Sequence, residues 1–254
     1  MSLLQTDAIV LHVADYLESS RILRLVTREA GVQSVVARGA RSSRKRFGSA
    51  VDLFAEGQAQ IQTKPGRDLH ALHGFDVTTA RPALGLDLGR FTAASAIAEC
   101  ALRLVHEEAA PVAYGTLVEG LDQLAMAPPH DTVTVTVGVL WRLVAEVGFR
   151  PSVGHCAECH APVEAPLTAR FSVMAGGTLC AACARRTPGG RLLPPDARAA
   201  LEAWLGGHPV PLDAGAARAH QRLLREFLLE HVPERRPLKA YQVWEQGQWD
   251  GSSK

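Results

Sequence analysis

The stretch Asp7–Ala37, DAIVLHVADYLESSRILRLVTREAGVQSVVA, sets the fold class. DAIVLHV (Asp7–Val13) is a mostly apolar run. SRILRLVT (Ser20–Thr27) alternates loosely, with Ile22, Leu23, Leu25 and Val26 among Arg21 and Arg24. Glu29-Ala30-Gly31 is a turn, and the β-branched run VQSVVA (Val32–Ala37) follows it. Short runs of this composition between turn residues read as strands. Downstream, AEGQAQIQT (Ala55–Thr63) alternates small or apolar residues with polar ones. KPGRD (Lys64–Asp68) turns the chain, and LHALHGFDV (Leu69–Val77) closes the set. Five short strands with no long helix predict a small barrel, an OB-fold or an SH3-like one.

Between the third and fourth strands lies ARGARSSRKRFGS. Arg38, Arg41, Arg44, Lys45 and Arg46 place five cations in nine residues, and no acid occurs between Val32 and Val51. Cations at this density neutralise phosphates, while glycine and serine let the loop adapt. Phe47 next to them either stacks on a base or turns into the barrel core. Lys64 and Arg67 in the next turn extend the same surface. Arg21 and Arg24 either line the binding face or sit in solvent.

Residues 81–150 change to helical periodicity, with Arg81-Pro82 at the boundary. RFTAASAIAECALRLVHEEA carries Phe91, Ala94, Ala98, Ala101, Leu102 and Val105 at helical spacing. Cys100 within it reads as buried packing. GTLVEGLDQLA repeats the pattern with Leu117, Leu121 and Leu124, and Pro128-Pro129 breaks it. TVTVTVGV (Thr132–Val139) alternates like a strand, yet Val133, Val137, Leu140, Trp141 and Val144 form a helical stripe. The reading taken is a helix capped by Asp131 and ended at Gly148. PPDARAALEAWLGG and AGAARAHQRLLREFLLEHVPE are two further helices. The second buries Leu223, Phe227 and Leu228 and turns Arg218, Arg222 and Arg225 outward. EQGQWDGSSK reads as a frayed tail.

The remaining signal is Cys156-x2-Cys159-x20-Cys180-x2-Cys183. Two Cys-x-x-Cys knuckles complete a tetrahedron around one zinc ion, with Gly154, Gly176 and Gly177 allowing tight turns. Four thiolates leave no open position for water, so the zinc is structural. His155 and His160 are solvated neighbours on this reading. A catalytic zinc with one of them as a ligand is the rival. The His-x-Glu that zinc deaminases need is missing.

Composition bounds the rest. The chain has 254 residues, 47% hydrophobic and 21% charged, enough for a real core. A net charge of +1 names no partner by itself. No run approaches the length of a membrane span, and MSLLQTDAIVLHV lacks the basic start of a signal peptide. A cytoplasmic location follows, where paired cysteines favour metal over disulfides. There is no Walker loop, GxGxxG or serine elbow, so no enzyme is expected.

The order and distances of these pieces resemble the RecO recombination-mediator proteins of bacterial DNA repair. The resemblance rests on TDAIVLHVADYLESSRILRLVTREAGVQSVVARGARSSRKRF, the four-cysteine spacing and RPLKAYQVW near the end. It implies an α+β chain: an N-terminal OB-fold β-barrel over 1–80, then an α-helical domain begun by 81–150. The zinc module at 151–190 is inserted in that domain, 191–244 completes it, and 245–254 is the tail. It also implies binding to single- and double-stranded DNA, strand annealing, work with RecR, and loading of RecA onto DNA coated by single-strand binding protein. The acidic, apolar tail of the latter would dock on the helical domain. The rival class is a zinc-ribbon protein that binds RNA or the transcription machinery.

Overall fold

A computed structural model describes residues 2–40, 47, 51–164, 168–231 and 236–247. The chain packs as two units, Met1–Met126 and Ala127–Lys254.

The first unit begins with five strands: β1 (Ser2–Tyr16), β2 (Ser20–Thr27), β3 (Gly31–Ala37), β4 (Glu56–Thr63) and β5 (Leu69–Thr79). They close into a barrel in the order β1-β2-β3-β5-β4. Only the β3–β5 pairing is parallel, with Ser34 opposite Leu69 and Val36 opposite Ala71. This is the OB-fold arrangement. β1 is longer than the apolar run predicted because it serves two neighbours. Ser2–Ile9 pairs with β4 and Ala8–Tyr16 with β2, and a bulge between Val10 and His12 bends it.

Alternate residues fill the barrel: Ala8 and Val10, Leu23 and Leu25, Val35 and Ala37, Ala59 and Ile61, with Leu72 and Phe75. Ile9 and Val26, paired across β1 and β2, are also fully buried. Helices α2 (Leu88–Leu104) and α3 (Pro111–Met126) pack on those strands, after a short α1 (Ala83–Leu86). Burial on both faces explains why DAIVLHV shows a run and not an alternation. Asp87 caps α2 by accepting from the Arg90 backbone N–H at 2.7 Å.

In the second unit a 3-10 turn (Pro129–Asp131) feeds α4 (Thr132–Val144), and a π turn (Ala145–Phe149) ends it with Gly148 at φ 94°. The helical stripe prevails over the alternation, with Val137, Leu140, Trp141 and Val144 buried. The cap differs from the expectation: Asp131 is itself in the 3-10 turn, and its side chain makes no cap hydrogen bond. Pro129–Phe149 is long and apolar enough to cross a membrane, at mean hydropathy 1.4, although no such run is expected from the sequence. Half of that window is buried within the structure, where Trp141 meets Phe227 at 5.2 Å.

A small sheet follows, ordered β7-β6-β8, from β6 (Ala169–Ser172), β7 (Gly177–Leu179) and β8 (Arg191–Leu193), with α5 (Ala181–Arg186) between the last two. Then come α6 (Pro195–Leu205), α7 (Ala214–His231) and α8 (Lys239–Gln246). Leu223, Phe227 and Leu228 of α7 face inward as expected. Part of the expected tail is helical: Glu245 lies in α8 and accepts an ion pair from Arg225 at 2.8 Å.

Candidate metal centre and nucleic-acid surface

The first knuckle is a tight hairpin. Cys156 N–H donates to the Ala161 carbonyl at 2.8 Å, and His160 N–H donates to the Cys156 carbonyl at 2.9 Å. His160 takes φ 60° to make that turn. The second knuckle is the start of α5, where Cys180 precedes the helix and Cys183 lies in its first turn. Ala157 N–H donates to the Thr178 carbonyl at 2.8 Å and ties the two together. Thr178, fully buried, donates its hydroxyl to the Val153 carbonyl at 2.8 Å. A side chain at Gly177 would collide with the Ser152 backbone, so glycine is required there. Arg198 of α6 holds the loop from outside through the Glu164 carbonyl at 3.1 Å.

The four sulfurs lie within 4.8 Å of one another. Cys159 and Cys180 are 3.7 Å apart, far beyond a disulfide bond. A tetrahedral zinc with bonds near 2.3 Å needs sulfurs about 3.8 Å apart, so the donors fit. Their chemistry agrees. Burial pushes the Cys156 thiol up, but the backbone N–H groups of Cys159, Cys180 and Glu158 outweigh it and bring the pKa down to about 6. Burial and the neighbouring sulfurs push Cys183 up to about 12. A thiol held up as Cys183 is stays protonated by itself, whereas a divalent cation among the four sulfurs favours its thiolate. Among the described residues, the buried cluster around the sulfurs is small, Cys156, Leu179 and Cys183, and adds little to hold the knuckles together. His155 and His160 are exposed, and neither joins the metal-capable group among the described residues. Cys100 is 1% exposed in α2 and separate from it.

Of the basic residues, Arg38 is exposed on the turn that follows β3. Lys64 is half-buried and Arg67 exposed in the β4–β5 turn. Arg41, Arg44, Lys45 and Arg46 lie outside the described residues. Arg38 follows the end of β3 and Arg67 precedes the start of β5, so they flank opposite ends of the parallel pairing. Phe47 is no stacking platform. It is 1% exposed and plugs the barrel with Val51, because burying a phenyl ring yields about 2–3 kcal/mol. Arg21 lies 3.6 Å from Asp15, and Arg24 reaches the Leu102 carbonyl of α2 at 3.4 Å.

Sequence reading takes Arg81 only as a boundary marker and misses its part in the first unit. Its side chain is 2% exposed and donates to Asp122 at 2.7 Å, Glu56 at 2.9 Å and the Phe54 carbonyl at 3.1 Å. Tyr114 donates to the other Glu56 oxygen at 3.0 Å. Burial lowers the guanidinium's pKa, but both carboxylates more than reverse this. No local pattern marks such a site, because its partners are 25 to 41 residues away.

Comparison with known proteins agrees across both units. The family model Recombination protein O N terminal matches residues 1–81, and Recombination protein O C terminal matches 85–241. The DNA repair protein RecO of Anaeromyxobacter sp. (strain K) is 36% identical over 250 residues, which cover 92% of this chain and 94% of that protein. That of Nocardioides sp. is 35% identical over 219 residues, with 85% and 88% covered. That of Thermobifida fusca is 34% identical over 222 residues, with 86% and 88% covered.

Proposed function

The chain belongs to the Recombination protein O family of DNA repair proteins, and we propose accordingly that it is a recombination mediator. It binds single- and double-stranded DNA and anneals complementary strands. With RecR it helps load RecA onto DNA coated by single-strand binding protein, whose tail it engages. It acts in the cytoplasm, at the nucleoid, and hydrolyses no nucleotide. One observation carries the reading: a closed OB barrel whose β3 runs into the cationic stretch 38–46, in a chain matched to this family in both halves.

The mechanism needs no reacting group. Arg38, Arg41, Arg44, Lys45 and Arg46, with Lys64 and Arg67, neutralise phosphates and so screen repulsion between two approaching strands. Base contacts keep the strands open until complements meet. Cys156, Cys159, Cys180 and Cys183 would hold one zinc ion, which would tie the two knuckles together and supply no catalysis.

The test mixes purified protein with two complementary oligonucleotides, one coated with single-strand binding protein, and follows duplex formation at low and high salt. Acceleration that fades with salt supports the reading. Changing Arg44, Lys45 and Arg46 together to Ala should weaken binding and flatten its salt dependence. No acceleration at any salt by a zinc-loaded protein, or a preference for RNA without annealing, overturns it.

A further inference from the structure

With Phe47 inside the barrel, the basic loop needs another base-stacking partner. The described aromatic side chains of the first unit are nearly all inside: Phe54 and Phe75 are each 2% exposed and Tyr114 5%. Phe91 is 39% exposed but lies on α2 and leans edge-on against Phe54 at 6.2 Å. Tyr16 is 40% exposed at the tip of the β1–β2 hairpin, and Leu17 beside it is 74% exposed.

The hairpin register places this tip. Tyr16 pairs with Ser20, and the next residue, Arg21, pairs with Ala37, the last residue of β3 before Arg38. The tip therefore stands next to the root of the cationic loop. Leu17 adopts φ 55°, a left-handed conformation that glycine or asparagine usually takes. Holding leucine there, with its side chain in water, costs stability twice over, and strain of this kind gathers where a ligand is met.

Charge selects the ligand and its orientation. Asp15 and Glu18 flank the tip, with Arg21 3.6 Å from Asp15. Phosphates are repelled from the tip itself and drawn to Arg38. A strand with a phosphate on Arg38 presents its bases to the tip, where a phenol ring and an isobutyl group await.

We propose that Tyr16 stacks on an unpaired base of single-stranded DNA and that Leu17 packs against the same or the next base. This rests on the DNA-binding function proposed above.

The test compares full-length, zinc-loaded wild type, Tyr16→Ala, Tyr16→Phe and Leu17→Gly. The probes are a fluorescent oligodeoxythymidine and an oligonucleotide of equal length made of abasic sites. Tyr16→Ala should bind oligodeoxythymidine roughly ten-fold more weakly, with the salt slope kept, because stacking carries no counterion release. It should bind the abasic strand like wild type. Tyr16→Phe should stay within about two-fold, since the ring suffices. Leu17→Gly should bind several-fold more weakly while melting no lower than wild type, because glycine relieves the strain. Unchanged binding of oligodeoxythymidine by Tyr16→Ala overturns the proposal, and so does an equal loss on both probes. A wild type that binds neither probe fails the DNA-binding reading itself.

Discussion

Replacing Arg81 by Met removes the charge and keeps the apolar stem. In the intact protein the guanidinium neutralises Glu56, whose side chain is 19% exposed, and Asp122, which is 52% exposed. It also holds the carbonyl of Phe54, a residue fixed at φ 66°. The substitution would leave Glu56 largely dehydrated with, among the described residues, the Tyr114 hydroxyl for support, a loss of about 3 kcal/mol. The Phe54 carbonyl loses a charged donor, worth about 1 kcal/mol more. Asp122 is mostly in water, and its share is well under 1 kcal/mol. The whole effect, about 4 kcal/mol, is a large part of the roughly 5–15 kcal/mol that holds a domain folded. Urea denaturation at neutral pH measures it. Changing Glu56 to Met as well should recover much of the loss, because the stranded charge is then gone. A loss below about 1 kcal/mol for Arg81→Met, or a double variant no more stable than the single, would overturn this account.

Changing Cys156 and Cys159 to Ser should abolish zinc binding, read by elemental analysis, and lower the melting temperature far more than the affinity for DNA. A folded double variant that has lost only DNA binding would move the DNA site to this module. His220 is 2% exposed; burial brings its pKa down from 6.5 to about 4, outweighing a hydrogen bond with the Ala197 backbone that raises it. Between those values the unfolded chain binds more protons, so stability should fall as pH drops from about 6.5 to 4, by on the order of 3 kcal/mol. His220→Phe should flatten that window in denaturation curves, and a slope unchanged by it refutes the assignment. Gly31 sits at φ 58°, and an added Cβ would strike the carbonyl oxygens of His106 and Glu108. Gly31→Ala should therefore cost about 3 kcal/mol in urea denaturation, and a loss under about 1 kcal/mol would show that the loop simply moves.

Those parts of the molecule whose signal is local were legible in the chain alone. The places of the strands followed from short apolar runs between turns, and the cysteine spacing picked out the four thiols that lie together and could hold a metal ion, because a knuckle is built from neighbours in the chain. The conflict at Thr132–Val139 was also legible, since the apolar stripe continues to Val144 at helical spacing. Packing settled whatever depends on which surfaces meet. Phe47 follows five cations, and the sequence leaves it between stacking and the core until the packed barrel takes it in. β1 outruns its apolar core because β2 and β4 both need its backbone. Arg81 gains its role only when folding brings Glu56 and Asp122 to it. Tyr16 and Leu17 stand out only once the other rings are seen buried and the register sets them beside Arg38. Burial and long-range pairing are properties of the packed chain, and a local pattern of residues carries no record of them.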